Sequence, residues 1–187
     1  MNLPARIQKI GLDLETIVFH LNECDFEFEH RDEVFPGPEE NAAESIARIE
    51  REVGALPLAL KLFWLQVGSI DLCGFHPEWE GCEYPDPLVI WPPSFAVNEL
   101  EDFLADKKNR LATNFPYVVP VAPDAYHKAD VSGGMFYNIT VPATADDPPL
   151  NDEWHKTTFL NHIDIAIRFG GFPGLAHSPN HTWHILK

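Results

Sequence analysis

The stretch 53–81, VGALPLALKLFWLQVGSIDLCGFHPEWEG, restricts the fold more than any other part of the chain. Pro57 suits a first helical position, where a fixed φ is favourable and a missing N–H costs nothing. Leu60, Phe63, Trp64 and Val67 follow at helical spacing, and Gly68 offers a left-handed C-terminal cap. The pattern then changes. Residues 69–75 read as one strand, and Gly74, Pro77 and Gly81 mark the turns around it.

The residues before this stretch are helical in pattern. Leu3, Ile7, Ile10, Leu14, Ile17 and Leu21 form one apolar stripe, with Arg6, Gln8, Lys9, Asp13 and Glu15 on the wet face. The acidic run DFEFEHRDE at 25–33 alternates Phe with Glu and fits an edge strand or an extended linker. After Pro36-Gly37-Pro38, a second helix is expected to open at Pro38, with Glu39 and Glu40 in its first turn. Ala42, Ile46, Ile49 and Val53 would be its buried stripe and Gly54 its end. The short link to Pro57 should lay these two helices against each other.

Beyond residue 85, Leu88 to Trp91 is a continuous apolar run expected as a central, buried strand, stopped by Pro92-Pro93. Val97, Leu100, Phe103, Leu104 and Leu111 mark another helix, acidic at its start and basic at its end, as the helix dipole favours. Residues 117–121 form a strand whose prolines at 116, 120 and 123 demand an edge or a bulge. A strand at 135–141 and a helix carrying Phe159, Leu160, Ile163 and Ile167, closed by Gly170-Gly171, complete the series. The expected fold class is α+β: one domain with a mixed or antiparallel β-sheet packed by helices.

The length of 187 residues fits one domain able to bury a core unaided, and five Trp with thirteen Phe supply large volumes to fill it. Thirteen Lys+Arg against 29 Asp+Glu leave a formal charge of −16. Such a surface repels phosphate backbones and anionic membranes and favours a basic protein partner. Three cysteines without regular spacing suggest no disulfide framework, and no window has the apolar length of a signal peptide or a membrane span. A soluble, cytoplasmic protein is the expectation.

Several short motifs share their order and spacing with one known family. They are the proline-led helix running through "VG" into a strand with GFHPEW, then DPLVIWP, then YHKADVSGG at 126–134 followed by Tyr137, and finally FGGFPGL at 169–175. Over roughly residues 45 to 176 the chain resembles the SMI1/KNR4 group, the SUKH superfamily. The resemblance implies an SMI1/KNR4-like α+β domain over 1–187. Residues 1–37 form an N-terminal helix and acidic segment, 38–176 the family core and 177–187 a His-rich tail. It also implies a non-enzymatic, protein-binding function, that of a bacterial immunity protein neutralising a toxin. The family carries no shared catalytic set to transfer. A regulatory scaffold with several weak partners is the alternative that the family's eukaryotic side implies.

Four chemical readings of the residues compete. Cys73, His76 and Cys82, or His177, His181 and His184, could ligate a metal, but Cys73 to Cys82 is too wide a spacing for structural zinc and Pro179 disfavours a helix in the tail. No metal and no cofactor is therefore expected. Asp124, His127 and Asp130 flank one turn before Gly133-Gly134, a minimum for general-base hydrolysis. Yet Ser132 lacks the context of an activated nucleophile, and a capped turn with Gly133 at positive φ explains the same residues. No phosphate-binding glycine motif is present. The fourth reading is a protein-binding surface. Phe75, His76, Pro77, Glu78, Trp79, Glu80, Glu83 and Tyr84 cluster in one loop, where aromatic anchors ringed by carboxylates would grip a basic partner. The partner-binding residues expected are Glu78, Trp79, Glu80, Glu83, Tyr84, Asp124 and His127.

Overall fold

The computed structural model describes residues 2–77, 85–108, 116–131 and 133–177. Helix α1 (Leu3–Glu23) begins at Asn2, whose side-chain oxygen accepts the Ala5 N–H at 3.1 Å. Such a cap satisfies one of the donors that a helix start leaves orphaned. The expected stripe is the buried one: Ile7, Ile10, Leu14 and Leu21 face inward. They pack on α3 (Leu58–Gln66) and α5 (Phe159–Arg168).

Helix α3 lies at the centre, touching α1, α5 and α2 (Ala42–Val53). Its Phe63 and Trp64 are fully buried, each contributing about 1.5–3 kcal/mol by removal from water. Phe63 meets Phe159 edge to face at 5.7 Å, and the Trp64 indole N–H donates to the Trp91 carbonyl at 2.9 Å. Pro57 precedes the helix as its extended N-cap rather than serving as its first residue. Gly68 closes α3 as expected. It has φ +94°, its N–H reaches the Phe63 carbonyl at 2.9 Å, and a Cβ there would lie 2.0 Å from the Gly37 oxygen. Only glycine fits both demands.

Helix α2 starts at Ala42, not at Pro38. Glu39, expected in its first turn, instead reaches across to α4 (Pro93–Lys108). Its carboxylate accepts the Ser94 backbone N–H at 3.1 Å and the Ser94 hydroxyl at 2.6 Å. A carboxylate at a helix start suits the dipole, here the dipole of a neighbouring helix. Pro93, expected as a strand stop, is also the first residue of α4.

The strands form three small antiparallel ladders. β1 (Glu27–Phe28) pairs with β3 (Gly74–Phe75), β2 (Ile70–Asp71) with β4 (Val89–Ile90), and β5 (Val118–Ala122) with β6 (Tyr137–Thr140). The Trp91 N–H donates to the Val121 carbonyl at 2.8 Å and ties the second ladder to the third. The strand expected at 69–75 is thus two strands in two ladders. Asp71 causes the break, because its side chain accepts the Cys73 N–H at 2.8 Å and turns the chain. The bulge required by the prolines is present, as a register shift between Pro120 and Ala122. Strand β6 is shorter than expected, and Met135 and Phe136 lie exposed before it. One hydrophobic core runs from Ile7 to Leu175, giving an α+β fold.

Candidate functional site

The turn after β5 is built on Asp124, which is buried. Its Oδ1 accepts the N–H groups of Tyr126 at 2.8 Å and His127 at 3.4 Å, and its Oδ2 pairs with His127 Nδ1. Gly134 stands over this carboxylate with φ +96°, and a Cβ there would come within 2.5 Å of Asp124 Cγ. The chain then makes a 3-10 turn, His127–Ala129, and leaves it through Asp130 at φ 56°.

Within that turn Lys128 points inward. Its Nζ lies 2.6 Å from Asp86 Oδ1, and both side chains are 0% exposed. The Tyr137 hydroxyl donates to Asp86 Oδ2 at 3.1 Å, and Lys128 Nζ sits 4.8 Å from the centre of the Tyr137 ring. Burial, and then the Asp86 carboxylate, push the Tyr137 hydroxyl far above its ordinary pKa. The lysine thus fastens the turn to the chain at residue 86, with its charge already neutralised.

Between this turn and the β1–β3 ladder runs a cleft of about 480 Å³. Glu27, Glu29, Phe75, Pro85, Asp130 and Phe172 line it, together with Lys128. Glu27, Glu29 and Asp130 are exposed, and so is Phe75, at 54%. Three carboxylates that pair with no cation among the described residues, beside an aromatic ring, suit a cationic side chain, whose apolar stem can lie on the ring while its head is neutralised.

Residues that flank two of the expected site regions line this cleft. Phe75 and Pro85, on either side of the aromatic–acidic loop, line its rim, as do Ala129 and Asp130 of the His127 turn. Glu78, Trp79, Glu80, Glu83 and Tyr84 themselves lie outside the described residues, as does Ser132. Asp124 requires a correction. It was expected to touch a partner, but it is buried and spent on capping its own turn. His127 remains at the surface, 44% exposed. Gly133, at φ +117°, has the conformation that a capped turn requires. Glu27 and Glu29 were legible only as part of an edge strand or linker. Their alternation with Phe26 and Phe28 is the signal that turns them outward.

The cysteine and histidine sets behave differently. The Cys73 thiol is buried, and burial followed by the nearby Asp71 pushes its pKa far up. His76 Nε2 lies 2.8 Å from the Cys24 carbonyl and is engaged there. Cys82, His181 and His184 lie outside the described residues. A different cluster, unmarked by motif, does assemble. Glu153 and His155 on the loop before α5 meet His162 in the first turns of α5. Glu153 Oε1 pairs with His155 Nδ1, accepts the His155 backbone N–H at 2.9 Å and lies 3.3 Å from His162 Nδ1. Burial alone would raise the Glu153 carboxyl, but the His162 imidazole and the His155 N–H hold it down to about 2.

No family model matches the chain, and neither a curated protein nor a solved structure matches it. Among the described residues, no helix is long and apolar enough to cross a membrane.

Proposed function

We propose that this chain is a non-enzymatic protein-binding domain of SMI1/KNR4-like kind, acting as a bacterial immunity protein that neutralises a basic toxin by occupying its surface. The observation that carries this reading is the cleft beside residues 127–130. It offers Glu27, Glu29, Asp130 and an exposed Phe75, while its lysine is withdrawn into an ion pair with Asp86. The formal charge of −16 supports the same reading at long range. Carboxylates steer encounter and buried aromatics slow release. Hydrolysis at Asp124 and His127 has weaker support, because Asp124 is committed to the backbone of its own turn. A scaffold with several weak partners remains the alternative.

The test starts with proteins encoded beside this one, captured on the immobilised chain at low and moderate salt. The expected result is one basic partner whose activity is lost on binding. The triple variant Glu27→Gln/Glu29→Gln/Asp130→Asn should then slow its association at low salt by roughly tenfold. An unchanged on-rate would remove the cleft from the interface, and several weak partners with no blocked activity would favour the scaffold.

A further inference from the structure

The cluster of Glu153, His155 and His162 is unusual in how it is paired. The side chains of Glu153 and His162 are 0% exposed and that of His155 10%. Among the described residues, the imidazole of His162 finds no well-aligned hydrogen-bond partner for either Nδ1 or Nε2. Its Nδ1 nevertheless faces Glu153 Oε1 at 3.3 Å, off the line of a hydrogen bond. Fully buried polar atoms almost always find a partner, and an ion or a water is one explanation for an orphan of this kind. One donor atom from each of the three residues lies within 4.8 Å of the others. Donors around a tetrahedral zinc, with bonds of about 2.0–2.2 Å, stand about 3.4 Å apart.

We infer that Glu153, His155 and His162 form a binding site for one divalent first-row transition-metal ion, with zinc the best fit. The donor set decides the class of ion. Two imidazoles and one carboxylate suit zinc and its neighbours, whereas calcium and magnesium require oxygen donors in larger number. A dication would also neutralise the buried Glu153 carboxylate. An ion here satisfies Nδ1 of His162 and exchanges the Glu153–His155 contact for ligation by both groups.

The site joins the loop before α5 to α5 itself. Glu153 already organises its own loop, accepting the N–H groups of His155 at 2.9 Å and Thr157 at 3.4 Å through its two oxygens. His162 projects from α5, its ring edge to face with Tyr137 at 5.7 Å. A bound ion therefore staples the 153–157 loop to α5, next to the Tyr137–Asp86–Lys128 network that holds the acidic cleft. Three protein ligands leave a fourth position for water, and His155 lies nearest the surface to admit it.

The full chain, stripped with a chelator and dialysed, is titrated with zinc alone by calorimetry and followed by thermal unfolding. One equivalent should bind, and excess zinc should raise the Tm, as any ligand selective for the folded state does. His155→Ala, at the least buried ligand, should weaken binding by at least about tenfold, because even supporting residues beyond the ligands are worth that much. The tail variant His177→Ala/His181→Ala/His184→Ala should bind as the parent does. Histidine ring-proton NMR of the unsubstituted chain gives a readout free of folding defects, with zinc expected to move the His155 and His162 signals. Failure of the stripped chain to bind zinc would overturn the inference. So would binding that survives His155→Ala, or that disappears in the tail variant.

Discussion

The Lys128 side chain is fully buried, and its ammonium pairs with the Asp86 carboxylate. An ion pair taken out of water is costly to break on one side only, because the surviving charge stays buried. Lys128→Met should therefore cost about 3–5 kcal/mol in denaturant unfolding. Asp86→Asn/Lys128→Met should recover most of that loss. Asparagine is the right replacement because position 86 has φ +50°, a left-handed conformation that asparagine tolerates and branched residues do not. If the double variant is no better than Lys128→Met, packing of the lysine stem on Tyr137 matters more than its charge. None of this was visible in the sequence. Lys128 sits inside the recognisable YHKADVSGG motif, yet its partner lies 42 residues earlier, beyond any local pattern. The inward turn of a lysine between two exposed neighbours is fixed by tertiary contacts alone.

The join between α2 and α3 depends on Glu50. Its Oε1 accepts the Leu56 N–H at 3.0 Å and lies 2.8 Å from Lys61 Nζ. Burial raises the Glu50 carboxyl, but the Lys61 and Leu56 bonds outweigh it and hold the pKa below the ordinary 4.5. A carboxylate whose pKa is lower folded than unfolded stabilises the fold above the unfolded value, and loses that contribution as pH falls through the folded one. Glu50→Gln should thus cost about 1–2 kcal/mol at pH 7, for charge-assisted bonds at a part-exposed site. The difference between the two proteins should shrink as pH drops below about 4.5. A constant difference down to acid pH would assign the loss to shape rather than charge. The helices around this join were legible because their 3.6-residue stripes are long and regular, as in α1. Pro38 misled because the motif of proline followed by acidic residues is local, while Glu39 answers to Ser94, 55 residues away. The strand at 69–75 misled because the turn made by the Asp71 side chain competes with a continuous ladder.

At the scale of the whole molecule, the formal charge of −16 acts in two opposite ways. Like charges on a compact surface repel one another and weaken the fold, while the same field would steer the proposed basic partner. Charge was legible from composition, but the cleft where it gathers was not, since β1, β3 and the His127 turn meet only in the folded chain. Likewise Glu153, His155 and His162 follow no familiar ligand spacing, and the bend of the loop before α5 is what brings them together. The two effects of charge separate with salt. Raising ionic strength from about 10 to about 150 mM shortens the screening length from about 30 to about 8 Å. Relief of about 1 kcal/mol of self-repulsion would raise the Tm by about 2–4 °C for a chain of this size. Over the same range, association with a basic partner should slow by about tenfold, because steering is lost while the short-range contacts persist. A Tm that fell with salt would mean that surface pairs such as Arg6–Asp164 and Arg48–Glu101 outweigh the repulsion. That would be unexpected, since exposed pairs contribute only about 0–1 kcal/mol each. Opposite signs for stability and on-rate are what an acidic fold held by its core, and the proposed charge-steered binding, together require.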